Sequence, residues 1–122
     1  MAQNKMPLIF RVSGAASYPA KIAYAVLDTK GKELSTGFFT VKSPNELVRI
    51  ELALPDIFGV SIFEDANGNG ALDFGVFGQP TEKYAFSNGA WKFLGKPEPE
   101  LTWVRKDPKG TTLDFELKSV WD

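Results

Sequence analysis

The stretch Leu47–Leu54, LVRIELAL, alternates apolar and charged residues over most of its length. Successive side chains of a β-strand point to opposite faces, so Arg49 and Glu51 fall on one side of an extended chain. The residues on the other side are Val48, Ile50 and Leu52. This pattern is typical of a strand with one face in a core and one in water. It predicts a half-buried β-strand, and no segment of the chain shows a comparably clear helical period.

Several other segments have the apolar, β-branched and aromatic composition of short strands. They are Leu8–Val12, Lys21–Asp28, Leu34–Lys42, Phe58–Glu64, Leu101–Lys106 and Thr111–Val120. Gly37 is a candidate β-bulge, and Asp107-Pro108-Lys109-Gly110 predicts a hairpin turn between the last two strands. Turn signals recur every 8–12 residues or so, as in sandwiches. We therefore expect an all-β fold, an antiparallel β-sandwich of about seven strands, with residues 1–122 as a single domain.

Residues 65–100 contain no convincing strand but many large apolar side chains. A loop of this length in a compact domain is either functional or a sign that the strand assignment there is wrong. We expect a long ordered loop near residues 65–100 that folds down over one end of the sandwich.

The segment Asp65–Asp73 places oxygen-bearing side chains at alternate positions around a glycine, as calcium loops do. Gly70 allows the sharp turn, because glycine reaches positive φ without a Cβ clash. The candidate metal ligands are Asp65, Asn67, Asn69, the carbonyl of Ala71, Asp73 and, from farther along the chain, Glu82, with Glu64 beside the loop as an alternative. An EF-hand would need a glutamate where Val76 stands, and helices on both sides. The sequence predicts possible Ca²⁺ binding outside an EF-hand; the alternative is a metal-free Asn/Gly-rich turn.

Composition excludes several classes of function. The 122 residues include no cysteine and no histidine, which removes Ser-His-Asp and Cys-His nucleophilic sites and Cys/His zinc sites. A net charge of −1 gives no electrostatic reason to bind nucleic acid, and no apolar run approaches a membrane span. The opening MAQNKMPLIF has too short an apolar run for a signal peptide, so we expect either a cytoplasmic protein or a mature exported form.

Three segments together resemble a known family: Asp65–Asp73, the run Gly78-Gln79-Pro80-Thr81-Glu82, and Tyr84-Ala85-Phe86-Ser87-Asn88. The chain is similar to the mostly secreted bacterial proteins called domain of unknown function 2141. The resemblance implies a transthyretin- or immunoglobulin-like β-sandwich, a periplasmic or extracellular location, and no established activity. Ala85 stands where the family usually has glycine. The aromatic residue that normally follows the family's late proline is missing after Pro97, where Glu98 stands.

Three kinds of function remain open. A binding module of the bacterial envelope, for a peptide, a glycan or an envelope partner, would use exposed aromatic rings, with Trp91, Phe93 and Trp103 as candidates; the alternative is that these rings are core. An assembly role would use an edge strand, giving a monomer or weak homodimer. An enzyme would need a pair of carboxylates, as in glycoside hydrolysis. We favour the calcium-stabilised binding module.

Overall fold

The computed structural model of the protein describes residues 5–65, 83–90 and 98–119. Within these ranges the chain forms two short 3-10 turns, Ser87–Gly89 and Pro99–Thr102, and no α-helix. The strands are β1 (Met6–Ser13), β2 (Ala20–Leu27), β3 (Glu33–Val41), β4 (Leu47–Leu52), β5 (Ile57–Glu64), β6 (Tyr84–Phe86), β7 (Val104–Arg105) and β8 (Thr111–Glu116). The predicted all-β class is confirmed.

The described strands form two sheets that enclose the core. The first sheet has the order β4-β1-β8, and the second has the order β3-β2-β5-β6, with β7 pairing with the other half of β5. The core side chains alternate along the strands, as the sequence predicts. They include Leu8, Phe10, Val12, Ile22, Val26, Phe58, Val60, Ile62, Leu113 and Phe115, all less than a tenth exposed.

Phe10 lies at the centre of an aromatic cluster that joins the two sheets. Its ring centroid lies 4.8 Å from that of Phe39, 5.7 Å from Tyr24 and 5.8 Å from Phe115. Burial of each large side chain contributes about 1.5–3 kcal/mol, so this cluster is a principal link between the layers.

The sandwich is not wholly antiparallel, and its last turn is not a hairpin. β8 pairs in parallel with β1, whereas β7 pairs with β5 in the other sheet. The turn at Asp107 does form, with the Gly110 N–H donating to the Asp107 carbonyl at 2.9 Å. The predicted hairpin is wrong because the turn carries the chain from one sheet to the other.

Gly37 is not a bulge. It lies directly opposite Tyr24 in a regular ladder, and the register shift between β2 and β3 occurs at Val26 and Leu27 instead. A Cβ at Gly37 would lie 2.8 Å from the Tyr24 hydroxyl oxygen. Glycine is needed here to make room for the Tyr24 ring.

The stretch 65–100 is not one continuous loop. Tyr84–Phe86 forms β6, which pairs with Ser61–Phe63 of β5, and a 3-10 turn follows it. Residues 66–82 and 91–97 lie outside the described residues, so the expected packing of that loop on the end of the sandwich stays a prediction.

Candidate functional site

The ends of residues 66–82 are held side by side at the end of β5. The Glu64 N–H donates to the Lys83 carbonyl at 2.9 Å, and the Asp65 N–H donates to the Lys21 carbonyl at 2.9 Å. The segment that carries the calcium motif therefore starts and finishes on neighbouring strands of the second sheet.

Asp65, the first residue of the motif, has a fully buried side chain, and its Oδ2 lies 3.7 Å from the ammonium of Lys21. Glu64 is also buried, and its Oε1 accepts a hydrogen bond of 2.9 Å from the Ala16 N–H. Because consecutive strand residues point to opposite faces, these two carboxylates diverge. Carboxylates on opposite faces of a strand are poorly placed to flank a single bond, as glycoside hydrolysis requires.

The other predicted metal ligands, Asn67, Asn69, Ala71, Asp73 and Glu82, lie outside the described residues. Within the ranges 5–65, 83–90 and 98–119, no three acidic side chains come together in a way that could hold a metal ion. Calcium binding remains a prediction, with Asp65 as its described residue.

Ser87 and Asn88, from the segment that resembles the family pattern, have structural roles. The Ser87 hydroxyl is buried; it accepts from the Val60 N–H at 3.1 Å and donates to the Thr102 carbonyl. Asn88, at a φ of 63°, donates from its amide to the Trp103 carbonyl at 2.7 Å. These bonds fasten the second 3-10 turn to β5.

Trp103 is half-buried, so it is neither a fully exposed platform nor a core residue. Trp91 and Phe93, the other two candidate partner-surface rings, lie outside the described residues. The proposed use of these three rings in binding therefore stays untested.

A second candidate site lies on the outer face of the β3-β2-β5-β6 sheet. Register places Phe38, Ala23, Phe63 and Tyr84 in one row across the four strands. The next row consists of Thr36, Ala25, Ser61 and Phe86. In the first row Ala23 therefore lies between two phenylalanines, and in the second row Ala25 lies between two hydroxyl-bearing side chains.

These rows form a cavity of about 380 Å³, which we call the outer-face groove. Phe38 and Phe63 form its walls, and Ala23 and Ala25 form its floor. Thr36 and Ser61 supply hydroxyl groups, and Glu33 lies at one end. Phe38 is 48% exposed, and the Lys21 ammonium lies 4.6 Å from its ring centroid. Lys21 thus connects the outer-face groove to Asp65.

The sequence contains one signal for this groove. Apart from Lys21 at its start, both alternating sets of β2 are small or apolar, which predicts a covered outer face. Phe38 and Phe63 could not be assigned to it, because which side of a strand faces outward depends on pairing between segments far apart in the chain.

Another cavity, of about 400 Å³, lies between β8 and the β6 end of the second sheet. Its rim carries Asp114, which forms an exposed ion pair with Arg11. The hydrogen bond and charge of Arg11 hold the pKa of the Asp114 carboxyl below its usual value of 3.8. The Asp114 carboxylate at this cavity is therefore already paired with the Arg11 guanidinium.

Comparison with known protein families finds one match, to the uncharacterized proteins conserved in bacteria named domain of unknown function 2141, over residues 11–112. Comparison with curated proteins and with solved structures gives no match. Across the described ranges, no helix has the length and hydropathy required to cross a bilayer.

Proposed function

Because the chain belongs to this family of uncharacterized bacterial proteins, with no activity to inherit, we propose from its own geometry that it is a glycan-binding module. The outer-face groove is the binding surface. The observation that carries the proposal is the exposed Phe38, which lies in the same row as Phe63 with the small Ala23 between them.

The spacing of the two rings suits a sugar ring. β3 and β5 are separated by one strand, so the rings rise from backbones about 10 Å apart, two strand spacings. A pyranose standing on Ala23 and Ala25 can present an apolar C–H face to each aromatic ring. Pockets of this kind combine apolar walls with a few placed polar groups.

The groove's polar groups match sugar hydroxyls. Thr36 and Ser61 each offer a hydroxyl that donates and accepts, and Glu33 offers an acceptor at one end. An extended peptide suits this surface less well, because the sheet's backbone groups lie in the plane of the ladders and do not point toward its face.

The calcium-binding loop and the envelope location form part of the same proposal. Calcium held by Asp65 and the following motif would fix the loop next to Lys21, which borders the groove. The motif has two carboxylates and two neutral amides, a donor set suited to the weaker calcium sites, with a Kd of roughly 10⁻⁵–10⁻³ M. Such affinity fits a protein exposed to extracellular calcium.

A glycan array followed by titration calorimetry tests the binding surface. We expect the parent protein to bind a subset of glycans, and Phe63→Ala to weaken that binding at least about tenfold. Leu47→Ala is the matched control, since Leu47 is 56% exposed on the other sheet, and it should leave affinity unchanged. Absence of glycan binding, equal binding by Phe63→Ala, or selection of peptides over glycans would refute the assignment.

Calorimetry also tests the metal. Calcium titrated into chelator-stripped protein should give a saturable heat that Asp65→Asn abolishes. Absence of heat in the parent protein would refute calcium binding and favour the alternative, a metal-free turn.

A further inference from the structure

We propose that two copies of this chain associate through the edge of β3 that pairs with no described strand, joining their second sheets into one continuous antiparallel sheet. The proposal does not depend on the glycan or calcium assignments. It rests on the direction of backbone groups along β3 and on the residues that accompany them.

The direction of the backbone groups on β3 follows from one backbone hydrogen bond between β2 and the end of β5. The Lys21 carbonyl accepts from Asp65 at the end of β5, so the backbone groups of the next residue, Ile22, point the other way, toward β3. Ile22 pairs with Phe39, so the backbone N–H and C=O of Phe39 point toward β2. Because these directions alternate along a strand, the N–H and C=O groups of Thr36, Phe38 and Thr40 point away from the sheet.

No described strand pairs with this edge of β3. The three side chains on its outer face are Thr36, Phe38 and Thr40, so a threonine lies on each side of the phenylalanine. If a second copy pairs antiparallel with its centre at Phe38, the two Phe38 residues lie opposite one another, and Thr36 of each copy lies opposite Thr40 of the other. Aromatic–aromatic and Thr–Thr pairs are both favourable across antiparallel strands. The edge is therefore self-complementary, as a twofold interface requires.

The edges of the first sheet are protected, whereas this part of β3 is not. β4 carries the exposed Arg49–Glu51 ion pair, and β8 carries the exposed Asp114 and Glu116. Charged side chains on an edge discourage further pairing. Residues 35–41 of β3, STGFFTV, include no charge and no proline.

The same geometry limits the strength of the interface. The register shift beside Val26 leaves Leu34 out of the regular ladder, and such irregularities interrupt an edge. Pairing over residues 36–40 alone buries less than the roughly 1,200 Å² of a standard interface. We therefore expect a concentration-dependent dimer, with a Kd on the order of 0.1 mM, rather than a permanent one.

Cysteine cross-linking tests both the dimer and its register, since the natural chain has no cysteine. In the proposed dimer, residue 36 of one copy lies about 5.5 Å, Cα to Cα, from residue 40 of the other, within disulfide range. Residue 36 lies about 14 Å from its own counterpart. A mixture of Thr36→Cys and Thr40→Cys chains should therefore form a mixed disulfide under mild oxidation, while neither variant alone should form a disulfide-linked dimer.

Three results would overturn the proposal: no cross-link in the mixture, a cross-link of Thr36→Cys alone, or an equal rate when Leu47→Cys replaces either partner. Sedimentation of the parent protein up to about 1 mM supplies an independent test. We expect Phe38→Asp to remain monomeric and both Leu47→Asp and Phe63→Ala to dimerise like the parent. A parent that stays monomeric throughout would also refute the dimer, but it would leave the groove assignment standing, because that assignment is tested by the effect of Phe63→Ala on glycan binding.

Discussion

Ser87 is almost completely buried, and its hydroxyl satisfies two backbone groups from different elements. The Val60 N–H in β5 donates to it, and the Thr102 carbonyl accepts from it. Removing the hydroxyl leaves both groups without this partner in a site closed to water, at a cost of about 1–3 kcal/mol. We expect Ser87→Ala to lower the free energy of unfolding by this amount, measured by urea denaturation.

Thr112→Ala is the control for Ser87→Ala, because Thr112 is exposed on β8 and surface substitutions usually change stability by less than about 0.5 kcal/mol. Equal stability of Ser87→Ala and the parent protein would show that the hydrogen bonds of the Ser87 hydroxyl do not stabilise the fold.

Arg11 and Asp114 form an exposed pair in which the guanidinium donates to the carboxylate. Arg11 lowers the pKa of Asp114 below 3.8, so the pair stabilises the fold above that value, and its contribution is lost as pH falls through the lowered folded-state pKa. We expect Arg11→Gln to return the pKa of Asp114 toward 3.8, measured by NMR titration of its carboxyl carbon.

Asp28 provides an internal control for that titration. Hydrogen bonds from the backbone N–H groups of Lys32 and Lys30 lower its pKa, and Arg11 is not involved. Its pKa should stay low in Arg11→Gln, and a parallel rise of both carboxyls would point to a general loss of structure.

Individual inward-facing residues were the most predictable part of this protein. Val48 and Ile50 pack against the core as the alternation indicated, because a two-residue period is set locally by the chain. The buried role of Ser87 was not predictable, since a polar residue in a turn gives no sign of which distant backbone groups it will meet.

At the scale of elements, the sequence located strands well and their partners poorly. β6 has only three residues, too few for alternation to be visible, and it exists because β5 offers it an edge. The turn at Asp107 has the composition of a hairpin turn, but the neighbours of β7 and β8 are β5 and β1. Local composition specifies a turn, whereas burial of the two sheets decides which strands it connects.

The pairing of β2 with β3 depends on the missing side chain at Gly37. A Cβ there would lie 2.8 Å from the Tyr24 hydroxyl and 3.0 Å from its Cζ, and Tyr24 packs against Phe10 and Phe39. The ring therefore has little room to move. Overpacking of this kind costs about 1–3 kcal/mol, so we expect Gly37→Ala to reduce stability by that amount in thermal unfolding.

The double variant Gly37→Ala with Tyr24→Ala separates this steric clash from a change in strand propensity. Removing the ring removes all three close contacts, at 2.8, 2.9 and 3.0 Å, so the double variant should be less destabilised than the sum of the two single variants. Simple additivity would refute the steric explanation.

At the scale of the whole molecule, the two candidate sites differ in how far apart their residues lie along the chain. The outer-face groove uses residues 23, 38 and 63 on three strands, and β1, the first strand, pairs with β8, the last one described. The calcium motif is local, so sequence alone could suggest it. The groove is not local and required the sheet topology.

Calcium binding has a measurable consequence for the stability of the whole fold. Asp65 lies buried where β5 leads into the motif, with Lys21 as its ion-pair partner. A ligand that binds only the folded state, present at ten times its Kd, adds about 1.4 kcal/mol, or roughly 5 °C in Tm for a chain of this size. We expect this rise in Tm, measured by calorimetry, on adding millimolar calcium to chelator-treated protein.

Asp65→Asn should lose the increment, whereas Asp56→Asn should keep it because Asp56 is an exposed partner of Lys106. An equal rise with magnesium, or no rise in the parent protein, would contradict a specific calcium site.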